Sequence, residues 1–226
     1  MDKELKLLLD NFKLDQLYKH NLFSIKSICE FLDVWDNYSP EDKFKLENFT
    51  KRDTTINKHF TYEGAYNTNY VYGEILRNGV DEIINKINKY KKVSDKDVFL
   101  DVGSGCGKLI LHTAIKSDIK TFVGIEIVPQ RLRYAKSIKE EILPEHKSVF
   151  FIEKDVKDFD LSIASIVFMN DVCFDYDTRS DIFNRLSKGC HFITSHENKS
   201  CKILKEEFAV DVSWGKDKFK LYYYIK

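Results

Sequence analysis

Four polar residues stand in matching places, each just past a short apolar run: Asp101, Glu126, Asp155 and Asn170. In an open α/β sheet a ligand lies outside the carboxyl ends of the strands. An acid or amide at each of several strand ends therefore outlines one polar cleft. Directly after Asp101 comes a glycine turn, D-V-G-S-G-C-G-K, with Gly103, Gly105 and Gly107 separated by single residues. Glycine is required where the backbone takes a positive φ or lies against a ligand. Strand, acid, glycine turn and helix are the opening of a nucleotide-binding α/β domain.

The spacing selects the nucleotide. A dinucleotide turn reads G-x-G-x-x-G and sets a helix N-terminus against a pyrophosphate. Here the third glycine comes one residue early, and Asp101 would repel a pyrophosphate at close range. A ligand with a cationic amino-acid end suits the carboxylate instead. Glu126, roughly 20 residues further on, can accept both hydroxyls of a ribose, although an NAD enzyme places an acid there too. Asp155 can accept from an adenine amino group, with Val156 as its apolar neighbour. ATP is not expected, because Lys108-Leu109 lacks the Ser/Thr that follows a phosphate-loop lysine. Cys190, His191, His196 and Cys201 cluster like metal ligands, but adjacent strand residues point to opposite faces, so no metal is expected.

Several elements must hold these residues in place. Val98–Leu100, Thr121–Ile125, Val149–Ile152 and Ile163–Met169 read as buried strands; Cys190–Thr194, Ala209–Trp214 and Phe219–Ile225 are further candidates. Helical spacing follows the glycine turn, Pro129 opens another helix, and Thr178–Ser187 forms a third ending near Gly189. Strand–helix alternation argues a mainly parallel sheet, and the last two strands argue an antiparallel hairpin. Ahead of the sheet, Ile75, Leu76, Val80, Ile83, Ile84 and Ile87 mark an amphipathic helix. Residues 1–60 read as a helical N-terminal region. Leu5, Leu8, Leu9 and Phe12 form one stripe there, Leu22 to Leu32 another, and Pro40 starts a third helix. From Thr50 to Tyr72 periodicity vanishes, as in a functional loop.

Composition narrows the class. Lys+Arg and Asp+Glu are 36 each among 226 residues, so no global field favours nucleic acid or an acidic membrane. Any DNA contact would depend on local basic patches. Five cysteines without a C-x-x-C pair read as reduced thiols, and no apolar run approaches membrane-spanning length. The expectation is a soluble intracellular protein.

The glycine turn looks like motif I of class I S-adenosylmethionine (SAM) methyltransferases. Three more segments sharpen the likeness: V-Y-G-E at Val71–Glu74, F-M-N-D-V-C-F at Phe168–Phe174, and V-S-W-G-K-D-K-F-K-L-Y-Y-Y at Val212–Tyr224. Together they resemble the disruptor-of-telomeric-silencing (Dot) family, histone lysine methyltransferases without a SET domain. The resemblance implies a Rossmann-like α/β fold with a seven-stranded, mainly parallel sheet, and SAM as cofactor. It also implies a catalytic domain over residues 61–226, with residues 61–74 closing over the cofactor.

Site roles follow from the same resemblance. Tyr72, Gly73 and Glu74 match the closing loop. Asp101, Gly103, Ser104, Gly105 and Gly107 match the cofactor turn, with Lys108 behind them in place of a usual glutamine. Glu126 matches the ribose acid, and Asp155 with Val156 the adenine contact. Asn170 matches the first asparagine of an N-N-F-x-F motif beside the methyl donor, and Phe174 its last aromatic. Asp171 and Val172 depart from that motif. Trp214 and either Tyr222 or Tyr223 would line the lysine channel with Phe174, and Asn170, Phe174 and Tyr222 would form the catalytic group.

The implied acceptor is a lysine on the globular face of histone H3 within the nucleosome, which would place the protein in the nucleus. Other acceptors stay open: a lysine of another protein, a nucleic acid, a small molecule, or none in a silent SAM-binding module. A lysine ammonium has no lone pair and a pKa near 10.4, so the site must favour the neutral amine. Burial in an apolar channel does so.

Overall fold

The computed structural model describes residues 3–19, 73–143, 146–198 and 203–226. Along these the chain runs α1 (Lys3–Lys19), α2 (Arg77–Tyr90), β1 (Val98–Val102), α3 (Lys108–Lys116), β2 (Thr121–Glu126) and α4 (Pro129–Ile142). It continues through β3 (Ser148–Glu153), β4 (Ile166–Met169), α5 (Tyr176–Arg185), β5 (His191–Thr194), β6 (Leu204–Val210) and β7 (Phe219–Ile225). Tyr72, the stripe from Leu22 to Leu32, the helix start at Pro40 and the loop from Thr50 lie outside the described residues.

The seven strands form one sheet in the order β3-β2-β1-β4-β5-β7-β6. The first five are parallel, and β7 enters antiparallel between β5 and β6. The expected Rossmann-like sheet with an antiparallel C-terminal pair is the one observed. Order reverses between β1 and β4, so a crevice opens beyond their carboxyl ends. β1 is central because V-F-L-D-V can be buried on both faces. Phe99 packs with Phe122 on one face, while Leu100 and Val102 join Val123, Val167 and Met169 on the other. Each such buried side chain contributes about 1.5–3 kcal/mol. Helices α1 to α4 cover the first face and α5 the second.

Gly107 fixes where α3 begins. Its φ is 77°, and a Cβ there would lie 2.5 Å from Phe151 Cζ and 3.0 Å from the Ala135 methyl. Gly107→Ala therefore meets left-handed strain of about 1–2 kcal/mol and an overpacking cost of about 1–3 kcal/mol. A urea melt should show a loss of about 2–4 kcal/mol with an unchanged slope.

Several elements depart from the sequence expectation. The strand expected at Ala209–Trp214 runs from Leu204 to Val210 instead. It is an edge strand, so Lys205 and Glu207 face water while Phe208 and Val210 face the core, and the charges hide the strand pattern. Residues 211–213 are drawn away to pair with 74–76: Leu76 N–H donates to Asp211 O at 2.9 Å, and Ser213 N–H to Glu74 O at 2.9 Å. β4 starts at Ile166 because Leu161–Ile163 is a 3₁₀ turn capped by Asp160. α5 spans Tyr176–Arg185, capped by Asp175, and Gly189 lies beyond its C-terminus in the turn to β5. Among the α1 side chains described, Leu14 and Leu17 are buried, whereas Leu9 and Phe12 are exposed; those of Leu5 and Leu8 lie outside the described residues. That helix is held to α3 by Tyr18, whose hydroxyl pairs with His112 Nδ1 at 2.9 Å. His112 Nε2 lies 3.1 Å from Asp81 Oδ1, and burial pushes the imidazole down to about 4.

Candidate active site

A cavity of about 380 Å³ lies beyond the carboxyl ends of β1, β2 and β4. Its floor is the glycine turn. Gly103 N–H and Ser104 N–H both donate to Ile125 O at 2.9 Å, and Gly105 N–H donates to Glu126 Oε2 at 2.9 Å. Glu126 Oε1 accepts from Ile127 N–H at 2.9 Å and Val128 N–H at 3.0 Å, and Arg131 stands 3.5 Å from Oε2. Glu126 thus lines the cleft and also braces the turn. A ribose bound there has to share an acid already engaged by backbone donors.

Asp101 is placed differently. It is buried at the cleft floor, and no hydrogen bond reaches its carboxylate among the described residues. Burial, reinforced by the negative charge of Glu126, pushes its carboxyl up to about 8. The other buried acids of the cleft have cations beside them. Glu74 Oε2 meets Lys108 Nζ at 3.1 Å, and Glu126 meets Arg131. Among the described residues Asp101 is the acid left uncompensated, as a site for a cationic ligand requires.

The remaining walls come from four loops. The strap before α2 brings Gly73, Glu74 and Ile75 to one side, where Trp214 closes against it. A Cβ on Gly73 would lie 2.4 Å from Trp214 Cε3, so only glycine allows that approach. After β3, Asp155 and Val156 line the cleft; one Asp155 oxygen accepts from Lys157 N–H at 2.9 Å, capping the 3₁₀ turn. After β4, Asn170, Val172, Cys173 and Phe174 complete the rim. The Phe174 ring lies 3.8 Å from where a Gly103 Cβ would stand. Asn170 Oδ1 is buried without a hydrogen-bond partner among the described residues.

Most residues singled out in the sequence meet at this one cleft: those of the strap from Gly73, those of the glycine turn except Gly107, and Lys108, Glu126, Asp155, Val156, Asn170, Phe174 and Trp214. Gly107 lies behind the turn against Phe151. Tyr223 is not at the cleft. Its register with Ile193 turns it to the opposite face, fully buried beside Tyr90, with its hydroxyl 2.7 Å from His191 Nδ1. Tyr222 faces the side that carries Phe174 but is not among the cleft residues. Val172, Cys173 and Thr178 line the cleft unanticipated, since an apolar, thiol or hydroxyl residue in a loop carries no sequence signal of its own. No group of three or more potential metal ligands occurs among the described residues.

Fold and cleft together define a class I SAM-dependent methyltransferase. Among solved structures, the magnesium protoporphyrin IX methyltransferase of Synechocystis superposes with a TM-score of 0.51 at 13% identity, covering 65% of this chain and 81% of that one. Trm5 of Methanocaldococcus jannaschii, in complex with adenosine, gives 0.50 at 20% identity, covering 69% and 51%. At such identities the likeness is one of fold. The chain belongs to the family Histone methylation protein DOT1, which it matches over residues 54–211. A Caenorhabditis elegans H3 lysine-79 specific histone-lysine N-methyltransferase is 25% identical over 170 residues, 68% of this chain and 17% of that protein. A protein-lysine N-methyltransferase of Saccharolobus islandicus is 28% identical over 90 residues, 39% of this chain and 55% of that protein. The chain thus spans only a part of each relative's length.

The cleft residues fit the cofactor. Asp101, a buried acid with no cation beside it among the described residues, would suit an α-ammonium, and the Lys108 ammonium a carboxylate. Bound there, SAM supplies a methyl group made transferable by its sulfonium.

Proposed function

We propose that this chain is a protein-lysine N-methyltransferase whose acceptor is a lysine on the globular face of histone H3 in the nucleosome. One observation carries the reading: an amide oxygen on Asn170, buried and unpartnered among the described residues, in the cleft that also holds Asp101, Phe174 and Trp214. An amine N–H is the donor that oxygen lacks. Phe174 and Trp214 exclude water around the amine, which lowers its pKa and favours the nucleophilic neutral form. Asn170 then aligns its lone pair, so the rate gain comes from orientation and water exclusion rather than a dedicated base. Membership of the DOT1 family and the H3 lysine-79 relative support histone H3 as the acceptor.

The test is methyl transfer from labelled SAM to reconstituted nucleosomes, free histones and total lysate in parallel. Label on H3 in nucleosomes is the expected result. A lysine of another protein is the second reading, consistent with the Saccharolobus protein-lysine N-methyltransferase, and label confined to lysate proteins would select it. SAM binding without label anywhere would leave a silent binding module.

A further inference from the structure

Asp171 follows Asn170 directly, but its side chain turns away from the cleft and is almost fully buried. Its Oδ1 accepts from Thr194 Oγ1 and from Ser195 N–H, both at 2.7 Å, and from the Ser195 hydroxyl. Ser195 Oγ in return accepts from Asp171 N–H at 3.0 Å. Asp171 Oδ2 faces His196 Nδ1 at 3.2 Å and Arg179 Nε at 3.8 Å. One carboxylate therefore joins three segments: the rim after β4, the turn after β5, and α5. Its own carbonyl accepts from Phe174 N–H at 3.1 Å, so the same residue closes the turn that presents Phe174.

We propose that Asp171 is a positioning residue, clamping residues 170–174 to the turn after β5 so that Asn170 and Phe174 hold their places at the cleft. The clamp requires an acid. An amide that keeps its oxygen on the Thr194 and Ser195 donors turns its NH₂ toward the Arg179 guanidinium, so the ion pair to α5 is lost and donor faces donor there. The assignment rests on the reading above in which Asn170 orients the acceptor amine.

Cys173 offers a built-in reporter. It lies in the clamped segment, half-buried at the cleft, and burial pushes its thiol up, so alkylation of the intact protein should be slow. In Asp171→Asn, iodoacetamide should label Cys173, located by peptide mass, at least about tenfold faster at a temperature where the fold is retained. SAM affinity by calorimetry should stay within about threefold. With a methyl acceptor in hand, kcat should fall by about 10²-fold with little change in KM. Asp171→Asn/Arg179→Gln should recover part of both losses, because the opposing donor is gone. If Asp171→Asn does not fold, Ser195→Ala and Arg179→Gln are judged by the same labelling. A purely structural role would lower the melting temperature and leave labelling of the folded protein unchanged; that result overturns the clamp. Absence of any methyl acceptor counts against the functional reading alone, since labelling judges the clamp without turnover.

Discussion

Asp101→Asn is expected to weaken SAM binding by roughly 30- to 1,000-fold while making the unliganded protein more stable. The carboxylate sits buried and without a partner among the described residues, so a cation placed beside it gains a charge-assisted contact of about 2–4 kcal/mol. The same isolation is a liability without ligand. The carboxyl is pushed up to about 8 in the folded chain, above its ordinary value near 3.9. Below pH 3.9 both folded and unfolded chains hold the proton and nothing is lost. As pH rises from there toward 8 the unfolded chain releases it and the folded one does not, so stability falls across that window. Asparagine removes this decline, and a gain on the order of 1–3 kcal/mol should appear in urea melts at neutral pH.

Binding carries the opposite sign. A cationic ligand selects the ionised acid, so affinity should rise between about pH 6 and 8 and level off above it. Near pH 7, calorimetry in buffers of different ionisation enthalpy should report close to one proton released per SAM bound. The asparagine variant should release none. Equal proton release by both chains would remove Asp101 from the cofactor's binding group.

Asn170→Ala should lower methyl transfer by about 10²-fold, with SAM affinity changed less than about threefold. The substitution removes an oxygen that no donor among the described residues uses, so little stability is lost. What disappears is the acceptor that aligns the incoming amine. Asn170→Asp should also be slow at neutral pH, for a different reason: a carboxylate favours the charged lysine, which has no lone pair. Raising the pH should speed the aspartate variant more than the alanine one. Single-turnover kinetics separate the chemical step from binding in both cases. Unimpaired transfer by the alanine variant would remove Asn170 from the reacting centre.

Much of this architecture is written locally. β1 and β2 are legible because central parallel strands are buried on both faces and read as unbroken apolar runs. Asp101 and Glu126 at their ends follow, as does Asn170 after β4, since the strand boundary itself places them. β6 was illegible for the converse reason: an edge strand wets one face, and its glutamates and lysine break the apolar run. On α1, Leu9 and Phe12 of the expected stripe are exposed while Leu14 and Leu17 are buried, because leucines at several phases satisfy helical spacing and packing on α3 selects among them.

The sequence by itself determined the succession of strand, acid, glycine turn and helix, the positions of Asp101, Glu126, Asp155 and Asn170 after apolar runs, and the class of nucleotide they suit. Tertiary structure alone decided how each is used. Pairing of β7 with β5 turns Tyr223 into the core, because a shift of one residue exchanges the faces of a strand. The same folding gives Glu74 and Glu126 cations, leaves Asp101 without one, and draws Asp171 to Ser195, 24 residues away. Charge compensation depends on distances between segments far apart in the chain, and no local pattern encodes them.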